Sequence, residues 1–208
     1  MMRTDAFKFV AELIAMHRET VDCWHNAEIG NPYDGLLGVA CRQHQFNFLL
    51  WHEEDVARSP HVGDARVAEV KRAIDGYNQQ RNDWIERIDA ALLQEMDKRK
   101  IVPAAAAPLN TETPGSAIDR LSIMALRIYH HEEQLTRQDT EETHRQRVTE
   151  RLATCRAQHG DLSKSLAELL EAIFSGRTRL KVYRQMKMYN DRSLNPYLYG
   201  RSASRKAG

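Results

Sequence analysis

Between residues 67 and 92 a large or apolar side chain returns at every third or fourth position: Val67, Val70, Ile74, Tyr77, Trp84, Ile88 and Leu92, with Arg81 the one charged member of the row. That spacing follows the 3.6-residue turn of an α-helix and not the two-residue alternation of a strand. With Asp64 as its cap, it predicts a helix of about 35 residues, ~50 Å long. A helix of that length with so narrow a seam must lie lengthwise on neighbours, which the rest of the chain has to supply.

A second row of the same kind, Val148, Leu152, Cys155, His159, Leu162, Leu166, Leu169 and Ile173, predicts another long helix from about Thr140 to Ser175, with Gly176 as its C-terminal stop. Three shorter helices follow from stripes and end signals. The first is capped by Thr4, carries Phe7, Val10, Ile14 and Val21, and ends near Gly30-Asn31-Pro32. The second runs from about Asp34 to Arg58, carries Leu37, Cys41, Phe48 and Trp51, and stops at Ser59-Pro60. Thr113 as N-cap and Pro114 at the first helical position open the third, which reaches about Leu135. Ile101 to Asn110, with four alanines between Pro103 and Pro108, reads as a linker.

In LKVYRQMKMY, residues 180–189, Leu180, Val182, Met186 and Met188 share strand-like parity, while the composition also permits a helix; a helix is expected. The fold class is all-α: an elongated helical bundle with two long helices, in contact with each other, and three or four shorter ones. Residues 1–200 form one domain and 201–208 a disordered basic tail. The apolar length of the two long helices also suits a homodimer.

No apolar run reaches the ~18 residues of a membrane span, and the start MMRTDAFKF lacks the pattern of a secretory signal, so the cytoplasm is the expected location. Cys23, Cys41 and Cys155 are odd in number and far apart, and read as small core residues rather than a disulfide framework. Phosphate loops, the dinucleotide fingerprint and a serine elbow are all absent, which removes the commonest nucleotide-binding and acyl-transfer motifs.

Polar residues that interrupt the apolar rows carry the functional signal, because a buried polar group without a partner costs on the order of 1–3 kcal/mol. On the second helix, steps of three and four from Trp51 reach Asn47 and His44 in one direction and Glu54 and Asp55 in the other. On the third, Arg81 sits in the seam beside Asn78. On the fourth, Asp119, Ser122, Leu126, His130 and Glu133 share a flank. Together they predict a polar pocket enclosed by helices.

Two helices repeat a pattern, His52-x-x-Asp55 and His130-x-x-Glu133, which puts a nitrogen and a carboxylate on one face of each and suits a divalent metal of open identity. The order is the reverse of the Glu-x-x-His of di-iron bundles. The competing reading makes these stretches solvated helix ends. The candidate catalytic residues are therefore His52, Glu54, Asp55, Asp119 and His130.

Charge is divided unevenly. Residues 177–208 hold nine basic side chains against Asp191 alone, a net +8 in a chain whose total is +1, which leaves −7 on the rest. Within RTRLKVYRQMKMYNDRSLNPYLYG, cations alternate with Tyr183, Tyr189, Tyr197 and Tyr199, a texture that can hold phosphate and stack on a ring. Alternatively the segment latches onto the acidic body. Nucleic acid is disfavoured because the domain as a whole is not basic. The candidate ligand-binding residues are His44, Asn47, Arg81, Ser122, Lys181, Arg184 and Lys187.

Four blocks in order, HQFNFLLWHEEDVAR, NQQRNDWIERID, LNTETPGSAIDRLSIMALRIYH and KVYRQMKMYNDRSLNPYLYG, resemble a bacterial family catalogued as domain of unknown function 4254, over about residues 20 to 200. Ala117 and Met186 depart from its pattern. The resemblance implies a stand-alone helical protein, points toward sugar-nucleotide or glycan metabolism of the cell envelope, and brings a glycosyltransferase into view as a partner. The sequence thus raises two expectations: a pocket for a phosphorylated small molecule, a nucleotide or nucleotide-sugar, with metal-assisted hydrolysis; or a non-catalytic adaptor that binds a glycosyltransferase or itself.

Overall fold

The computed structural model describes residues 3–186, 191 and 193–199, and is all-helical apart from connections. Among the described residues six helices occur in order: α1 (Arg3–Trp24), α2 (Gly35–Arg58), α3 (Asp64–Lys98), α4 (Pro114–Thr136), α5 (Glu142–Phe174) and the single turn α6 (Pro196–Tyr199). None is long and apolar enough to cross a membrane.

The five main helices form two hairpins, α2 with α3 and α4 with α5, and α1 fills the space against α2, α4 and α5. The sequence of α2 explains its central place. From Ala40 to Leu50 only Arg42 and Leu49 escape burial, so this helix has no solvent face there. Its polar members Gln43, His44, Gln45 and Asn47 are therefore forced to find partners inside. Around it, Leu13, Met16, Ile88, Leu92, Ile118, Leu121, Leu166, Leu170 and Ile173 close one core, each such side chain contributing roughly 1.5–3 kcal/mol of burial. A satellite cluster of Leu50, Val70 and Ile74 holds the start of α3.

Several expectations are corrected here. The two long helices α3 and α5 share no extended contact: α3 lies on α2 and α4, and α5 on α4 and α1. In α1 the buried stripe is Ala6, Val10, Leu13, Met16 and Val21, while Phe7 turns outward. Gly63, not Asp64, is the N-cap of α3. Cys41 is buried as a core residue, but Cys23 is exposed.

Thr113 caps α4 as expected, its Oγ1 accepting from the Ser116 N–H at 3.2 Å. Gly115 lets that end of α4 press onto α3, for a Cβ there would sit 2.6 Å from the Ile85 carbonyl oxygen. Gly176, at φ +74°, turns the chain out of α5. The chain then runs beside the 101–110 linker, with Gly176 O accepting from Ala104 N (2.9 Å) and Pro108 O from Arg179 N (2.9 Å).

Residues 180–186 form no helix, contrary to the expectation. Leu180 and Val182 are half-buried while Lys181, Tyr183, Arg184, Gln185 and Met186 are exposed, so the strand-like alternation holds only for its first members. Residues 187–189 of the expected helix and the expected tail 201–208 lie outside the described residues.

Candidate active site

The polar interruptions of α2, α3 and α4 meet. Asp119 enters from the first turns of α4, and its Oδ1 accepts from Gln43 Nε2 (2.6 Å), Arg81 Nε (2.7 Å) and Asn47 Nδ2 (3.0 Å). Its Oδ2 accepts from Arg81 Nη2, which completes a fork-on-carboxylate pair. One turn further along, Ser122 Oγ accepts from Asn47 Nδ2 at 2.8 Å and shares a hydrogen bond of 2.6 Å with His44 Nδ1. Every member except Arg81 is buried.

The bond to Asp119 holds the Arg81 guanidinium above its ordinary pKa against the opposing effect of burial. His44 behaves oppositely: complete burial pushes its imidazole down to about 3, so it is neutral in the fold. These pairings assign Asp119 a structural task. Its Oδ1 takes three donors and its Oδ2 one, from three side chains on two helices, so the carboxylate is held in a fixed position.

In front of the network a cleft of about 330 Å³ opens between α2 and α3, with Ile123 and Leu126 of α4 also lining it. Asn47 and Arg81 form its floor, Leu50 and Trp51 its apolar wall, and Glu54, Asp55, Arg58 and Asn78 its mouth. Arg58 and Glu54 pair at 2.8 Å across one helical turn. Four of the sequence candidates, Asn47, Glu54, Asp55 and Arg81, thus line one space, with His44, Asp119 and Ser122 packed behind or beside its floor.

Lys181 and Arg184 do not join them. Arg184 lies with Val182 against Asp83, Glu86 and Arg87 of α3 in a separate depression, and the Gln185 N–H donates to Glu86 Oε1 at 2.9 Å. Lys187 lies outside the described residues.

His52 and His130 occupy another flank of α2. Their ring centroids are 5.9 Å apart, and a third histidine, His25, stands 5.1 Å from the first and 5.2 Å from the second. Trp51 stacks on His130 at 4.7 Å, Tyr129 stacks on His25 at 4.2 Å, and Phe48 meets His52 edge-on at 4.4 Å. His25 Nδ1 donates to the Val21 carbonyl (2.7 Å) and His130 Nδ1 to Glu133 Oε2 (3.1 Å). The Nε2 atoms of all three are shielded from solvent and without a hydrogen bond. His52 is held below its ordinary pKa, first by burial and then by His25 and His130, against the opposing charges of Asp55 and Glu133.

Sequence reasoning missed His25, although it stands four residues after Val21 and continues the stripe of the first expected helix. It also missed two buried groups. Asp89 takes the N–H of Gly115 at 2.7 Å under the start of α4, and burial nonetheless lifts its carboxyl to about 6. His17 is wholly buried, packs on His44 at 4.6 Å, and is held well below its ordinary pKa by burial and by His44 and His159. Asp89 follows Ile88 of the α3 row, and His17 lies four residues after Leu13 on the buried face of α1, where helical spacing could have found it.

The fold and the cleft define an all-helical protein with a polar interior site between its first hairpin and α4. The chain belongs to the family described as Protein of unknown function (DUF4254), whose model matches residues 38–182. That span holds the cleft, the Asp119 network, His52 and His130, and leaves out His25 and most of the fourth sequence block. No curated protein and no solved structure matches the chain.

Proposed function

We propose that the cleft between α2 and α3 binds a phosphorylated small molecule of the size of a nucleotide or nucleotide-sugar and acts on it by metal-assisted hydrolysis. The observation that carries this reading is the Arg81 guanidinium at the cleft floor, pinned from behind by Asp119 so that the edge the carboxylate leaves unused is oriented without further ordering. Arg58 and Asn78 supply further donors at the mouth, and Leu50 and Trp51 offer an apolar wall for a base or sugar ring. Glu54 and Asp55 at the same mouth would repel a bare phosphate, so a divalent cation bridging carboxylate and phosphate oxygens belongs to the reading. Those two carboxylates are its candidates for ion binding and proton transfer. The glycan setting implied by the family resemblance suits the same ligand chemistry.

Titration of the chain with nucleotides and nucleotide-sugars plus Mg²⁺ or Mn²⁺, followed by thermal shift and tryptophan fluorescence, tests it. Arg58 is largely exposed, so Arg58→Ala leaves the fold intact and is expected to weaken binding about ten- to a hundredfold, the range for a charged hydrogen bond. No stabilisation by any compound, or an unchanged affinity in that variant, contradicts it.

A second reading, the non-catalytic adaptor, has its own observation. Met186 is 79% and Tyr197 95% exposed, with Tyr183, Leu194 and Leu198 also open to solvent on the segment after α5. Apolar side chains presented on a cationic segment suit a protein partner with an acidic, partly apolar surface, a glycosyltransferase or a second copy included. Loss of a stoichiometric partner on truncation after Gly176, without loss of ligand binding, would favour it.

A further inference from the structure

We propose that His25, His52 and His130 form a site for one divalent transition metal of the zinc kind. The inference is independent of what the cleft binds. One ring nitrogen from each residue lies within 4.8 Å of the others. A point no more than about 2.8 Å from all three therefore exists, and closing to the ~2.0–2.1 Å of a zinc–imidazole bond needs movements under ~1 Å.

The free nitrogens are of the right chemical kind. A carbonyl and a carboxylate only accept, so Nδ1 of His25 and of His130 carries the proton, and each Nε2 presents a lone pair. These lone pairs, and Nε2 of His52, have no donor in the fold and no solvent. Neutral imidazoles whose Nδ1–H is held by a backbone carbonyl or a carboxylate are the usual arrangement around a metal, because that bond fixes both tautomer and ring direction. Glu133 is the carboxylate in this role for His130, and the Asp55 charge acts on His52.

The stacked rings of Trp51 and Tyr129 hold His130 and His25 in place. Three imidazoles favour zinc, cobalt, nickel or copper over magnesium or calcium, which prefer oxygen. Three protein ligands leave a fourth position for water or a substrate atom. Trp51 both stacks on His130 and lines the cleft, so the site lies one side chain from the proposed ligand.

The test is a Co²⁺ titration of the full chain after chelator treatment, read by ligand-field absorption, with Zn²⁺ competition. One equivalent with the intensity of a four-coordinate nitrogen site is expected, displaced by Zn²⁺. His52→Ala abolishes it, Glu133→Ala weakens it ten- to a hundredfold, and His61→Ala, on the far exposed loop, leaves it unchanged. Because the ring cluster is half-buried, His52→Ala can fail to fold; exposed Glu133 avoids that problem, so its variant then decides. Absence of binding by the native chain, unchanged affinity in Glu133→Ala, or retention of the site in a folded His52→Ala overturns the proposal.

Discussion

The Asp119 network gathers polar side chains from α2, α3 and α4, and the three-histidine cluster gathers them from α2, α4 and the turn after α1. In the network the charged group is answered, both oxygens of Asp119 being engaged by Arg81, Gln43 and Asn47, while Gln43 Oε1 and His44 Nε2 beside it are buried without a partner. In the cluster, three Nε2 atoms are shielded and none is matched. A carboxylate held by a guanidinium and two amides from two helices fixes a structure. An open set of lone pairs held by outer partners is stable only at a cost that a bound cation would remove. Proximity of polar residues therefore does not identify chemistry; the state of their hydrogen bonds does.

The largest effect that sharpens this contrast is on stability. Arg81→Ala strands the buried Asp119 carboxylate and is expected to cost about 3–5 kcal/mol by chemical denaturation. Asp119→Asn should cost less, about 1–3 kcal/mol, because the stranded Arg81 reaches the cleft and its water: its side chain is 26% exposed against 6% for Asp119. Equal losses would mean that the network is not closed on the Asp119 side.

A second test uses pH. His44, depressed to about 3, stabilises the fold above its unfolded value of 6.5, and that contribution is lost as pH falls from about 6.5 toward 3. Wholly buried His17 acts in the same direction. Asp89, raised to about 6, has the opposite sign: its contribution is complete below 3.8 and is lost as pH rises through about 6. Between pH 4 and 6 the two trends oppose each other. Asp89→Asn should therefore steepen the loss of stability on acidification by up to about 3 kcal/mol over that interval, and His44→Gln should flatten it. Urea midpoints across the range measure both.

The sequence made the helices legible because their apolar rows and end signals are local: Thr113, Pro114 and Gly176 act as expected, and the five main helices lie where the rows place them. Which helices touch was not legible. A row says which face is apolar but not which neighbour covers it, so α3 and α5 read as partners and are not. The same limit applied to the site. Spacing selected Asn47, Arg81, Asp119 and Ser122 as one group, and they meet. That both Asp119 oxygens are engaged depends on donors 38 to 76 residues away in sequence, which no local pattern contains. His25 was passed over because α1 ends at Trp24, short of the expected Gly30, and the turn that follows brings the ring beside His52 and His130, a meeting no local pattern contains.

The contrast between the two regions stands most directly on the histidine nitrogens themselves. In the native chain labelled with ¹⁵N-histidine, one equivalent of Zn²⁺ should shift the Nε2 resonances of His25, His52 and His130 together and leave those of His17, His44 and His61 in place. Shifts at other histidines, or none, would show that the open lone pairs of the cluster are not a metal site.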